Sequence, residues 1–455
     1  MKQLSSVIKN IKISTFFSLL IMCTLFSFKE REKDTEFPKT ASYSANFVIK
    51  WLDLHLEMIK FVSGYTPPVA SRTIGYTYLA LYESVVPGMP DKKSLSDHFG
   101  YSESFPLTDS TLEYYWPASA SAALAQMLRK SFPLAPKQYK NLIDSLEKSD
   151  SLQFAHLTSN EVLKRSIQFG REVAENISIY ASKDGGEFAF NRNYPSTYTA
   201  PLGPGLWVPT PAPMQPVFHY KSAMQPNWGN NRPFLYANVA SSLILPLPPT
   251  FSTDTASYFY QESKAVYDQV QNNSAAEREL AIFWADDVGS YSPPGHSLAI
   301  CKIILSDKNA NLAIASEVLA KIGIAVTDAF INCFKNKYIF NLLRPVTYIR
   351  SHIDPNWNTL IGTPPFPEYV SCHSTQSAAA ARILTHYFGE NVSFTDNSKD
   401  DVGYTPRKFH DFYEFAQEAA ISRYYGGVHY RFSCTLGYDT GIQIGDNVLN
   451  LDFNK

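Results

Sequence analysis

With 455 residues, 45% of them hydrophobic, and a formal net charge of −2, the chain can bury a large core and carries no basic tail. That balance argues against wholesale disorder and against nucleic acid as a partner. Aromatic content of 14% and 29 prolines suit ordered loops more than flexible linkers. The five cysteines, Cys23, Cys301, Cys333, Cys372 and Cys434, include no C-x2-C pair. They indicate neither a zinc site nor a disulfide framework.

The N-terminus reads as an address. Residues 1–12 carry Lys2, Lys9 and Lys12 and no acid, residues 13–28 (ISTFFSLLIMCTLFSF) are nearly all apolar or small, and Lys29-Glu30-Arg31-Glu32 ends the run. A basic segment, a short apolar core and a polar stop make an export signal over residues 1–28. The apolar run falls short of the roughly 20 residues a membrane span needs, so a single anchor is the weaker alternative. Cys23 follows Leu20-Ile21-Met22, where a lipobox wants a small residue before the cysteine. The expectation is a bacterial exported protein, periplasmic or secreted, or an outer-membrane lipoprotein held by a lipid anchor at Cys23.

Helical spacing of apolar residues begins at 43–63 with Phe47, Val48, Trp51, Leu52, Met58 and Ile59. Pro67-Pro68 reads as a break. Further helices are predicted at Ser71–Val86, Trp116–Phe132, Pro136–Lys148 and Asn160–Ser182, joined by short Pro/Gly breaks. Residues 184–250 differ. Eleven prolines fall between Pro201 and Pro249, among Trp207, Phe218, Tyr220, Trp228 and Phe234. Helix cannot run through that, and a loop this long with so many large aromatics reads as an ordered excursion packed on the helical body and walling a site.

Helices resume at 254–271, 275–288, 294–306 and 311–334. Pro294 suits a first helical turn and sets His296 near a helix start, where the dipole opposes its protonation; a structural or supporting histidine is expected there. Lys337 is expected after the fourth of these helices. Residues 341–367 hold five prolines and read as loop. Ser371–Phe388, Phe409–Tyr425 and His429–Leu449 complete the set. The fold class is all-α, a multi-helix bundle with one long Pro- and aromatic-rich loop. The domain reading is a single helical unit over 40–450, with its site in 337–433.

Chemistry concentrates between Lys337 and His429. The order is K-x6-R-P (Lys337, Arg344-Pro345), then Ser371-Cys372-His373, then S-R-x5-H (Ser422-Arg423, His429). Three cations, a hydroxyl and two imidazoles are what a tetrahedral oxyanion requires, because guanidinium forks match its several charged oxygens. Ser371 opens a helix, whose first amides and dipole favour an anion. Each piece alone is weak: a lone lysine is usually solvated and a lone histidine usually structural. The three occurring in order, two of them at helix boundaries, carry the reading.

In those motifs the chain resembles the type 2 phosphatidic acid phosphatase superfamily, which includes bacterial acid phosphatases and vanadium-dependent haloperoxidases. The phrases YTPPVASRTIGYTYLALYESVVPGMP, GLWVPTPAPMQPVFHYKSAMQPNWGNNRPF and FWADDVGSYSPPGHSLAI look like bacterial haloperoxidases of the iodide- or bromide-oxidising kind. Phrases and motifs together span about 40–445. The resemblance implies vanadate as cofactor, with hydrogen peroxide and halide as substrates. It implies that Lys337, Arg344 and Arg423 neutralise the vanadate oxygens, that Ser371 and the Cys372 amide donate to them, that His429 ligates vanadium, and that His373 takes a proton from peroxide. Phe366, seven residues before His373, would wall the halide side.

Two positions depart from the family. Cys372 stands where the family has Gly, so a side chain approaches the oxyanion and a thiol meets peroxide chemistry. Ser433 stands four residues after His429, where the family often has an Asp that orients the imidazole. Both bear on turnover. Three readings follow: a haloperoxidase preferring iodide; an acid phosphatase with His429 as nucleophile and His373 as proton donor; and a non-catalytic anion-binding surface protein.

Overall fold

Apolar stripes three and four residues apart yield helices close to the expected places. A computed structural model describes residues 37–101, 105–210, 222–240, 245–287 and 289–455. The leader-like segment 1–28 with Cys23, and the loop residues Phe218 and Tyr220, lie outside the described residues. Lys39–Lys455 form one compact unit, distinguished from Met1–Pro38. Its helices are α1 (Asn46–Phe61), α2 (Pro67–Glu83), α3 (Ser96–Phe99), α4 (Trp116–Ser131), α5 (Lys137–Phe154), α6 (Asn160–Ala181), α7 (Tyr258–Asn272), α8 (Ala275–Phe283), α9 (Ser292–Asp307), α10 (Leu312–Phe340), α11 (Pro345–His352), α12 (Cys372–Phe388), α13 (Phe412–Tyr425) and α14 (Arg431–Leu449). Among the described residues the strands are β1 (Phe394–Asp396) and β2 (Arg407–Phe409), a short antiparallel ribbon pairing Phe394 with Phe409. The all-α expectation holds.

Proline positions account for two departures from the sequence reading. Pro67-Pro68 opens α2 instead of breaking the pattern, and Pro345 opens α11 inside the segment expected to be loop. The first turn of a helix has no partner for an N–H, so a residue that lacks one is at home there. Two boundaries near the site also move. Helix α10 runs on to Phe340, which puts Lys337 in its last turn rather than after it. Helix α14 starts at Arg431, so His429 lies in the turn before it.

The 29 residues of α10 span about 44 Å at ~1.5 Å per residue. Most of them are buried on every face, the mark of a central helix. One side packs on α2, which carries α4, which in turn carries α6; the other side packs on α12, which carries α13 and α14. The excursion over 184–250 is ordered where described, and it lies on this body as expected. Trp207, Trp228 and Phe234 are buried in it. Asp328 of α10 pins it, accepting hydrogen bonds from the Phe234 amide at 2.8 Å, the Leu235 amide at 2.9 Å and Asn238 Nδ2 at 2.8 Å. Farther along, the Trp207 amide donates to the Asn341 carbonyl at 2.6 Å and the Leu343 amide to the Gly205 carbonyl at 3.0 Å. The excursion thereby braces the chain that leaves α10 towards Arg344.

Helix α14 meets α12 along Gly437, Gly441 and Gly445, one face at four-residue spacing. A Cβ on Gly441 would fall 2.2 Å from the Thr375 carbonyl oxygen, so only glycine permits the approach. The contact fixes the first turn of α12, which carries His373. Gly441→Ala should destabilise the protein by about 1–3 kcal/mol through overpacking, read as a lower Tm in thermal denaturation. An unchanged Tm would show that α12 and α14 can separate without cost.

Candidate active site

Three backbone segments converge: the end of α10, the loop leading into α12, and the turn between α13 and α14. Lys337, fully buried, donates to the carbonyls of Pro367 at 3.1 Å, Glu368 at 2.7 Å and Val370 at 2.6 Å. Its ammonium therefore shapes the loop that precedes Ser371. Asn341 ends α10 in the left-handed region, and Arg344 follows as the extended residue before Pro345. Proline disfavours helical backbone in the residue before it. Arg344 Nε donates to the Phe366 carbonyl at 3.0 Å, and Nη1 to the Val428 carbonyl at 2.8 Å. Arg423, in the last turn of α13, donates through Nη1 to the Trp284 carbonyl at 3.2 Å. Its buried Nε has no partner. Ser371 caps α12 and accepts from the Ser374 hydroxyl at 2.8 Å.

Among the described residues none of these three cations has a carboxylate within 4.0 Å. Burial pushes Lys337 down to about 8, and Arg344 and Arg423 each to about 10. Removing charge from water without a counter-charge costs several kcal/mol per ion, at the scale of about 3–5 kcal/mol for an unpaired member. The pocket is short of an anion.

His429 lies just beyond Gly427, whose left-handed backbone (φ +77) lets the chain turn back, and the amides of Val428 and His429 both donate to the Arg423 carbonyl, at 3.1 and 3.3 Å. Its Nε2 is 3.3 Å from Arg344 Nη1. Its Nδ1 is 2.6 Å from Glu368 Oε1, which also accepts from the Tyr430 amide at 3.2 Å. Burial first, then Arg344, Lys337 and Arg423, holds His429 well below the usual histidine range. It is neutral, with Nδ1–H donating to the carboxylate and the Nε2 lone pair turned to the cations. Burial raises the Glu368 carboxyl to about 7 against the pull of Lys337 and Arg344. The Ser433 hydroxyl lies beside that carboxylate, close enough to favour its ionised form, but outside hydrogen-bonding geometry.

His373, in the first turn of α12, is the other imidazole. Its Nε2 has no hydrogen-bond partner and lies 3.9 Å from Asp286 Oδ2. Burial and then Arg423 hold it well below the usual range, so it too is neutral. Asp286 belongs to a buried charge cluster. It pairs with Lys399 at 2.6 Å and with His296 Nδ1 at 3.0 Å, while His296 Nε2 meets Asp396 Oδ2 at 2.8 Å. Burial opposes charge on His296, but Asp286 and Asp396 raise it to about 9. The dipole-based expectation of a hard-to-protonate His296 is therefore overturned by two carboxylates, although its supporting position is as read. Burial likewise opposes the charge on Asp286, yet His296 and Lys399 hold its carboxyl well below the usual range.

A cleft of about 740 Å³ opens onto this centre, lined at its inner end by Asp286, Phe366, Cys372, His373, Arg423 and His429. Phe366 lies 5.1 Å from the Lys337 ammonium and 5.0 Å from the Arg344 guanidinium, ring face to cation. Lys337, Arg344 and Ser371 are fully buried and do not line the cleft. The Cys372 thiol lies beside Cys333 of α10. Burial opposes its ionisation, but Cys333 and the three cations bring it below the usual thiol value. All eight residues picked from the sequence thus meet at one place. The reading missed Glu368, Asp286 and Lys399. Glu368 and Asp286 each stand within a few residues of a motif it singled out, in FPEYVSCH and FWADD; their acidity inside otherwise apolar phrases was the available signal.

The residues suit a tetrahedral oxyanion such as vanadate. Unpaired buried cations, an orphaned guanidinium N–H, a serine hydroxyl at a helix start and an imidazole lone pair form one concave donor set. Comparison with known proteins agrees. Residues 317–453 match the family model described as the VCPO second helical-bundle domain. Vanadium chloroperoxidase of Curvularia inaequalis is 23% identical over an alignment of 500 residues, covering 87% of this chain and 80% of that protein. The crystal structure of the first bacterial vanadium-dependent iodoperoxidase is 32% identical, covers 91% of this chain and 98% of its own, and superposes with a TM-score of 0.79. An apo bacterial vanadium-dependent chloroperoxidase shares the fold at 16% identity and a TM-score of 0.67, over 86% of this chain and 95% of its own. With that identity sustained across nearly the whole of both chains, and with the cradle intact in its cations and histidines, the chain belongs to the vanadium-dependent haloperoxidases, a family of enzymes.

Proposed function

We propose that the protein is a vanadate-dependent peroxidase that uses hydrogen peroxide to oxidise iodide, with bromide as a second halide, to hypohalous acid. The observation that carries this is the trio of buried, unpaired cations facing two neutral imidazoles. The choice of iodide draws on the 32% identical iodoperoxidase. Bound there, vanadate would supply a Lewis acid that activates hydrogen peroxide towards halide. Lys337, Arg344 and Arg423 would balance its oxygen charges, and the Ser371 hydroxyl and Cys372 amide would donate to it. His429 Nε2 would hold the vanadium. His373, neutral and unpartnered at Nε2, would take the proton of an incoming hydrogen peroxide, with Asp286 at 3.9 Å stabilising the imidazolium formed. Phe366 would exclude water beside the cations. The reading includes export directed by residues 1–28, with cleavage or lipid attachment at Cys23.

One observation keeps a phosphatase reading in play. A nucleophilic imidazole relies on an orienting base, and although Ser433 cannot provide one, the Glu368 carboxylate lies 2.6 Å from His429 Nδ1. Peroxide-dependent iodide oxidation by vanadate-loaded protein, set beside aryl phosphate hydrolysis by vanadate-free protein, separates the two. Iodide oxidation is expected; phosphate release without it would give the pocket to the phosphatase.

His429→Ala should lower vanadate affinity by at least about tenfold, a scale set by loss of shells around a metal site. His373→Ala should keep most of the affinity and lose roughly 10²–10⁴ in turnover, as expected for a proton-transferring group. Equal effects of the two on equilibrium dialysis and on rate would reject the division of labour. The cluster behind His373 adds a pH dependence. His296 rises from 6.5 in the unfolded chain to about 9 in the folded one. Its contribution to stability is full below pH 6.5 and is lost as pH rises through 9. Wild-type Tm should therefore fall across that window more than the Tm of His296→Gln; parallel curves would show that the histidine is not charged.

A further inference from the structure

The carboxylate of Glu368 is buried, belongs to no motif, and touches the one imidazole whose free nitrogen faces the cations. We infer that Glu368 is the positioning residue of the anion site, fixing the tautomer and ring plane of His429 in the place where position 433 offers only a hydroxyl. The inference rests on the vanadate reading above and adds to it a residue that no motif marks.

Four observations support it. The Oε1 atom of Glu368 is 2.6 Å from His429 Nδ1 and 3.2 Å from the Tyr430 amide, so one oxygen holds both the ring and the backbone after it. Arg344 Nη1, 3.3 Å from Nε2, can only donate, so Nε2 presents its lone pair to that side and Nδ1 carries the proton that Glu368 Oε1 accepts. The Glu368 backbone is held as well, since its carbonyl accepts from Lys337 at 2.7 Å and its amide donates to the Leu342 carbonyl at 2.9 Å. The carboxylate is thus aimed by a clamped backbone rather than by a flexible side chain. Finally, Ser433 Oγ lies beside the carboxylate, and both it and Glu368 Oε2 are buried without a hydrogen-bond partner. An acid placed on α14 at 433 would bring a carboxylate to the place beside Glu368, where it is expected to stand in for Glu368 when that residue is removed and to repel it when both are present.

The consequence is a testable exchange. Glu368→Gln keeps an acceptor but removes charge; Glu368→Ala removes both. Vanadate dissociation constants from equilibrium dialysis should rise by about tenfold for the first and towards a hundredfold for the second, the usual range for residues behind a metal ligand. Glu368→Ala/Ser433→Asp should recover most of that loss, whereas Ser433→Asp alone should weaken binding. Nitrogen-15 NMR of the vanadate-free protein gives a second readout. Wild type should show a single Nδ1–H tautomer for His429, Glu368→Ala a mixture, and the double variant the single tautomer again. The near-isosteric Glu368→Gln keeps the test open should the alanine variant not fold. Wild-type affinity in a folded Glu368→Ala, or a double variant no better than that single one, would overturn the inference. Absence of vanadate binding by wild type would instead remove the anion reading, while the tautomer signature would still test Glu368.

Discussion

Three positive charges buried together, none of them in an ion pair with a carboxylate among the described residues, set the terms for everything around them. Lys337, Arg344 and Arg423 come from different helices and loops, and each is held by backbone carbonyls rather than by carboxylates. Carbonyl dipoles orient a cation and relieve part of its desolvation, but they leave its charge uncancelled. A fold that tolerates this must be braced elsewhere. The bracing comes from α10 packed on every side, from the glycine face of α14 against α12, and from an excursion tied to Asp328. What remains is a deficit that a small multiply charged anion would fill.

The two imidazoles share this field but have different neighbours. His429 has a carboxylate on its far nitrogen, which fixes where its lone pair points. His373 has its nearest carboxylate at 3.9 Å and nothing on Nε2, which leaves it free to accept a proton from the cleft. Both are neutral for the same reason, burial among cations. In the proposed division of labour, role follows from the second contact, not from the residue type. Asp286 serves the second histidine while being held itself by Lys399 and a protonated His296. The charge balance of the site extends in this way to the β1–β2 ribbon.

Most of the helices could be read from the sequence because an amphipathic stripe is a local signal, legible within a window of a dozen residues. The cradle could be read because its parts keep fixed spacing and order. Two of the departures share one source, reading proline as a stop: Pro67-Pro68 and Pro345 are starts. Glu368 was hidden for a different reason. Its partner is 61 positions away in the chain and its role is set by distance alone. Lys399 and Asp396 were hidden in the same manner, meeting Asp286 and His296 only after folding. Ser433 is a related case, because its neighbour Glu368 comes from another loop and is brought beside it only by folding.

The length of α10 has a thermodynamic consequence. The helix that ends in Lys337 is also the one on which both halves of the bundle pack, so the cradle and the core belong to one cooperative unit rather than to a scaffold and an appended loop. Occupancy of the cradle is then linked to the folding equilibrium of the whole chain. An anion that binds only the native state stabilises all of it by mass action, about 2.7 kcal/mol at a hundred times its dissociation constant. Scarcity of that anion is felt in the same way, as lower persistence of the folded protein and not merely as a slower enzyme.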